Sequence, residues 1–237
     1  MNKRILSTAL FLILAGTAAI AAAPGGVYAP DRSGALDAAR SACQVGSVEF
    51  AGYQGYYTDF WTGGQTYFQL IQPTADGCAC AAGVTVANVD MYITANAFSI
   101  FVAQAELWSA VDDGSGCMVP GGPLALSDAV GFSGFPSDGV YHLSVPFGSP
   151  CLTPGDAYFI AFHYLDSSQS IFSGVAVDST PEACEQYVKT DGIAGYHDPV
   201  AEYGWVGNYY VFADLDCCAD PVANDVETWS TLKRSFR

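Results

Sequence analysis

Eight cysteines, Cys43, Cys78, Cys80, Cys117, Cys151, Cys184, Cys217 and Cys218, are the residues whose type and spacing speak most directly of chemistry. An even number of thiols in a chain that opens with an export signal reads as disulfides, which form and persist in oxidising compartments. Zinc would need thiolates spaced C-x₂₋₄-C, whereas the close pairs here are C-A-C at 78–80 and the adjacent Cys217 and Cys218. Bonding near neighbours to each other closes a strained ring, so each close pair is expected to reach two distant segments. Cys117 and Cys151 flank a Pro/Gly-rich loop and an apolar run, and are expected to bond each other.

Other reactive side chains are sparse. The chain has three histidines; His142 and His163 lie inside apolar runs and are expected to be packed or hydrogen-bonded, not to act as ligands or bases. Gly131-Phe132-Ser133-Gly134 is one residue short of a nucleophile elbow, and no H-E-x-x-H is present. No catalytic residue is therefore assigned. A pair of carboxylates across a cleft could serve a glycoside hydrolase, and such a pair has no fixed spacing to detect. Asp112-Asp113-Gly114-Ser115-Gly116 and Asp214-Leu215-Asp216 offer loop oxygens, yet neither follows the calcium-loop pattern. Polar turns account for them more simply, calcium is the one ion they would suit, and no other cofactor is expected.

Aromatic residues are the more suggestive feature. Tyr53, Tyr56, Tyr57, Phe60, Trp61, Tyr67 and Phe68 crowd one segment, and Trp205, Tyr209 and Tyr210 another. Most such rings fill a core. Those left exposed would stack on sugar faces, and Tyr56, Tyr57, Trp61 and Trp205 are the candidates for that role.

The elements that would position these groups are strands. From Cys43 onward, short runs rich in Val, Ile, Tyr and Phe alternate with Gly, Pro, Asp and Ser, the strand-and-turn signature. The best runs are 84–94, 99–108, 140–147, 157–165, 171–177 and 205–214; weaker ones cover 47–53 and 65–71. Val140 to Val145 alternates, with Tyr141, Leu143 and Val145 on one face and His142 and Ser144 on the other. Residues 157–165 are apolar on both faces, as in a central strand covered by two layers. Pro154-Gly155 before that run has the order of a type II turn. Strands without intervening helices predict an all-β fold, an antiparallel two-sheet sandwich of jelly-roll type.

The ends of the chain are different. Met-Asn-Lys-Arg followed by an uncharged apolar run from Ile5 to Ala23, with Ala19-Ile20-Ala21 as a small-x-small site, reads as a signal peptide over 1–21. Residues 22–42 form an Ala/Gly/Pro-rich spacer, 43–222 the sandwich domain, and 223–237 a tail. With Lys3 and Arg4 removed, six basic residues face 24 acidic ones, a formal charge of −18. Such a surface repels phosphate backbones, so no nucleic-acid partner is expected. No later run is long enough to span a membrane. In the tail, Trp229, Leu232 and Phe236 fall at i, i+3 and i+7 after the capping candidates Asn224 and Asp225, predicting a short amphipathic helix. That stripe would dock on the acidic body or serve as a sorting tag.

The order Gly77-Cys78-Ala79-Cys80, Val89-Asp90-Met91-Tyr92, a Cys117 to Pro120-Gly121 loop, Y-H-L-S-V-P before Cys151 and Y-F-I-A-F-H-Y resembles a family of uncharacterised secreted β-sandwich proteins of environmental bacteria. Tyr203-Gly204-Trp205, A-D-L-D-C-C and the closing T-W-S-T-L-K-R-S-F-R belong to the same likeness. The resemblance implies fold and export and transfers no catalytic residue. The expected protein is secreted, periplasmic or at the cell surface. It is expected to be non-enzymatic, with a structural or binding role toward an extracellular glycan or protein, carbohydrate binding being the alternative and glycoside hydrolysis the third reading.

Overall fold

The computed structural model describes residues 28–30, 43–47, 55–58, 64–165, 174–177, 182–204 and 207–219. The signal peptide, the spacer apart from residues 28–30, and the tail with Trp229, Leu232 and Phe236 lie outside them. In chain order the strands are β1 (Tyr28–Pro30), β2 (Cys43–Gly46), β3 (Gly55–Thr58), β4 (Gln65–Ile71), β5 (Val84–Ala95) and β6 (Phe101–Asp112). There follow β7 (Met118–Leu126), β8 (Val130–Phe132), β9 (Gly139–Pro146), β10 (Tyr158–Leu165), β11 (Gly174–Val177), β12 (Gln186–Thr190), a five-residue helix α1 (Pro199–Tyr203) and β13 (Val211–Cys217).

All pairings are antiparallel, and the strands form two sheets, as the alternation of apolar runs and turns predicts. In one, β1, β9, β5, β11 and β3 lie side by side, with β13 pairing β5 and β2 pairing β13. The other runs β12, β4, β10, β6, β7, with β8 on the remaining length of β6. The core between them takes Val86, Met91, Ile93, Leu143, Val211 and Leu215 from the first sheet, and Tyr67, Ala105, Leu107, Ile160, Phe162 and Tyr164 from the second. β9 is buried on its Tyr141, Leu143 and Val145 face only. β10 is buried on both faces: Tyr158, Ile160, Phe162 and Tyr164 look inward, while Phe159 and Ala161 join a second apolar cluster outside.

A β-bulge decides which polar residues stay out of the core. In β5, Val84 and Val86 face inward, and strict alternation would bring Asn88 and Asp90 in after them. The register against β13 skips from Val86 to Asn88, leaving Ala87 unpaired. The phase therefore reverses, so that Val89, Met91 and Ile93 fill the core and Asn88, Asp90 and Tyr92 take the outer face.

Four disulfides staple the fold: Cys43–Cys78, Cys80–Cys217, Cys117–Cys184 and Cys151–Cys218. Each close pair reaches two separate segments, as ring strain predicts. The expected Cys117–Cys151 bond is not formed. Cys151 lies where the Leu152 bridge to Val84 runs beside Cys218, while Cys117, at the tip of the β6–β7 hairpin, is carried across to β12. Gly83 fits this corner because a Cβ there would lie 2.5 Å from Cys151 Sγ.

Three further details depart from the sequence reading. The turn before β10 has its Asp156 N–H to Thr153 C=O bond, but Gly155 does not have positive φ, so the turn is not type II. β7 holds Pro120 and Pro123 yet is a strand, because it lies at the sheet edge and shifts register against Trp108 and Ala110. Helix α1 was not expected. It exists because Asp198 Oδ1 accepts from the Val200 and Ala201 N–H groups, Pro199 opens the helix and Gly204 ends it in the left-handed region.

Candidate functional site

The strand registers of the six-stranded sheet arrange its outer face in rows. Lys189, Thr66, His163 and Gln104 stand opposite one another across β12, β4, β10 and β6. Tyr187, Phe68, Ala161 and Glu106 form the next row, and Leu70, Phe159 and Trp108 the third. The face thus passes from polar to apolar within three rows, with the smallest side chain, Ala161, at its centre.

Trp108 fills the space over Ala161. Its ring centroid comes within 5.3 Å of that of Phe68, two strands away, so the indole leans across β10. Glu106 fixes it there: Trp108 Nε1–H donates to Glu106 Oε2 at 2.7 Å, and His163 Nδ1 meets Glu106 Oε1 at 2.7 Å. One buried carboxylate therefore orients an indole and an imidazole at once. His163 Nδ1 donates to the carboxylate, and its Nε2 is buried without a hydrogen-bond partner. Gln104 Nε2 donates to the Ser127 carbonyl at 2.5 Å.

Two elements reach over this face. The distal half of the β6–β7 hairpin crosses toward the far edge of the sheet, where Cys117 bonds Cys184 just before β12. It brings Met118 and Val119 onto Phe68, Phe159 and Tyr187. From the other side, the segment after β12 folds back through a Val188–His197 bridge and sets Tyr196 edge-on against Phe68 and Trp108, at 5.5 and 6.1 Å. Burial, and then the Glu106 charge, push the Tyr196 hydroxyl above the usual tyrosine range. Lys189 Nζ lies 5.7 Å from the Trp108 ring centroid, a cation–π contact.

The outer face of the other sheet carries its own histidine–carboxylate pair. His142 Nε2 lies 2.8 Å from Asp90 Oδ1, and its ring stacks against both Tyr92 and Phe212, which also stack on each other at 5.9 Å. Asn88 donates to Asp90 and, at 3.1 Å, to Asp214, which also accepts from Gln44 at 2.7 Å. Burial raises Asp90 from its usual range, opposed by the His142 and Ser144 bonds. Both histidines of the strands are thus packed and hydrogen-bonded. Asp112 and Asp113 accept from the backbone N–H groups of Gly114 and Ser115 in their own turn. Among the described residues no three His, Cys, Asp or Glu side chains are placed to hold a metal ion.

A polar cleft of 140 Å³ opens where β2 ends, lined by Gly46, Ser47, Gln69, Leu70, Gln72, Asp76 and Glu185. Burial, a hydrogen bond donated by the protonated Glu185 to Glu182, and the charges of Glu182 and Asp76 push the Glu185 carboxyl up to about 7.

Of the aromatics singled out in the sequence, Tyr56 and Tyr57 belong to β3, at the edge of the seven-stranded sheet and away from the Trp108 face. Their side chains, with Trp61 and Trp205, lie outside the described residues. The Glu106, Trp108, His163, Lys189 and Tyr196 set was not found from sequence. The signal available was A-E-L-W, which puts a carboxylate and an indole on one side of a strand and Ala105 and Leu107 on the other.

No family model and no curated protein matches the chain. Among solved structures it is similar to the clostridial cysteine protease Cwp84 after propeptide cleavage, at 11% identity and a TM-score of 0.45, over 70% of this chain and 38% of that one. It is also similar to the cysteine protease and lectin-like domains of Cwp84, a surface layer associated protein of Clostridium difficile. There the identity is 12% and the TM-score 0.42, over 65% of this chain and 33% of that one. The chain therefore spans 38% of the first structure and 33% of the second.

Proposed function

We propose that this protein is a non-enzymatic binding domain that holds a saccharide on the outer face of its six-stranded sheet. Four disulfides with no free cysteine among the described residues mark a protein of an oxidising, extracellular or cell-surface environment. The observation that carries the reading is the Glu106 carboxylate clamped between the Trp108 indole and the His163 imidazole.

A sugar presents apolar C–H faces and hydroxyl edges, so its binding site pairs an aromatic ring held in place with polar groups beside it. Trp108 and Tyr196 supply the rings, and the half-buried Gln104 and Lys189 the polar rim. Holding the indole in advance saves the entropy of ordering it on binding.

Glycan-array screening followed by calorimetric titration tests this. A saccharide bound by the wild type should lose at least tenfold in affinity on Trp108→Ala, with the hydrogen-bonded Glu106→Gln change also weakening it. Binding unchanged by both substitutions, or no glycan bound at millimolar concentration, overturns the reading.

A further inference from the structure

We infer that the saccharide held on this face carries a single carboxylate, and that Lys189 is the residue that selects it. The inference rests on the glycan-binding reading above and adds the class of sugar. Lys189 is the one lysine or arginine among the described residues of a chain whose net charge is −16. An acidic protein has carboxylates to spare for neutralising a cation, yet Lys189 enters no ion pair with any described residue. Its ammonium lies instead beside the Trp108 ring, 5.7 Å from the centroid, in the same row as Thr66, His163 and Gln104.

An aromatic face engages one side of an ammonium and leaves N–H donors for another acceptor. A sugar lying along Trp108 would bring a carboxylate attached to its ring to that ammonium while a hydroxyl meets Gln104. Water screens the contact less at a half-buried, partly apolar position than on an open surface. The surrounding negative charge repels extended polyanions, so the fitting ligand is a mostly neutral oligosaccharide with one acidic residue.

The experiment titrates the secreted protein with a glucuronic-acid-terminated trisaccharide, with the same trisaccharide carrying glucose in that place, and with polygalacturonate. The acidic trisaccharide should bind at least tenfold more tightly than the neutral one. Lys189→Met, which removes the ammonium and keeps an unbranched apolar side chain, should bring the two to equal affinity, while Lys189→Arg retains the preference. Equal affinities in the wild type, a preference that survives Lys189→Met, or tighter binding of polygalacturonate overturn the inference and leave the glycan site standing. Absence of binding to every sugar, here and on the array, overturns both.

Discussion

Glu106 shows how one residue ties structure to the proposed site. It is buried, and its two oxygens are taken by Trp108 Nε1 and His163 Nδ1. Glu106→Ala strands two buried donors and should cost about 3 kcal/mol, read as a lowered urea midpoint, with Glu106→Gln retaining part of the loss. Glu185 makes a prediction of opposite character. Its folded carboxyl titrates at about 7 against 4.5 for the free group, so between those values the folded state holds the proton that the unfolded chain has released. Stability must then fall as pH rises from about 4.5 to about 7 and level off beyond. This is the reverse of a carboxylate stabilised by a cation. The group is half-buried and still reached by water, which reduces the effect to about 1 kcal/mol. Comparing urea midpoints of wild type and Glu185→Gln at pH 4.5 and 7.5 checks it: the variant should gain relative to wild type only at the higher pH. Neither residue was legible in the sequence. The partners of Glu106 share its strand and a neighbouring one, but the shift of Glu185 comes first from burial in a cleft that distant residues such as Gly46 and Gln69 line. By contrast, the packed state of His142 and His163 follows from their places in apolar strands.

At the scale of elements, legibility follows how local the cause is. β4, β5, β9 and β10 were visible because alternation or continuous apolarity is written within each run. β7 was not, because Pro and Gly ordinarily interrupt strands. Gly121 faces Ser109 so closely that a Cβ would come within 2.7 Å of its Oγ, a fact known only once β6 is alongside. Helix α1, at five residues, is too short to show a period and depends on its caps. The bulge at Ala87 was hidden in the same way, since V-T-V-A-N-V-D reads as one alternating strand with polar residues half a period out of place. Deleting Ala87 leaves V-T-V-N-V-D-M, in which Val84, Val86, Val89 and Met91 alternate strictly with Thr85, Asn88 and Asp90, so each side chain keeps its face without a bulge. The deletion variant is therefore expected to accumulate as protease-resistant protein. Deleting Thr85 instead leaves the bulge and turns Val84 outward, and should lower that yield; loss of the protein on deleting Ala87 would show that the bulge does more than set the phase.

Across the whole molecule, cysteine spacing announced that staples exist but not which ends they join. Cys80–Cys217 and Cys151–Cys218 gather the start of β5 and the end of β13 into one corner. Cys117–Cys184 alone ties an edge hairpin of the six-stranded sheet to the opposite edge strand, over the face that carries Trp108. Cys117–Cys184 and Cys151–Cys218 each close 67 residues, so the loss of chain entropy in the unfolded state is the same for both, about 4 kcal/mol by the loop-closure relation. Removing either pair by double Cys→Ser substitution should therefore lower stability by similar amounts, measured in denaturant without reductant. Their effects on the site should differ. Without Cys117–Cys184 the hairpin is no longer held against Phe68, Phe159 and Tyr187, and the layer beneath Trp108 loses its cover. Trp108 fluorescence should then shift to the red, and affinity for the saccharide should fall further than stability alone explains, while the variant lacking Cys151–Cys218 keeps both under conditions where it is folded. Equal losses of affinity in the two variants would mean that the hairpin contributes to the fold and not to the face it crosses.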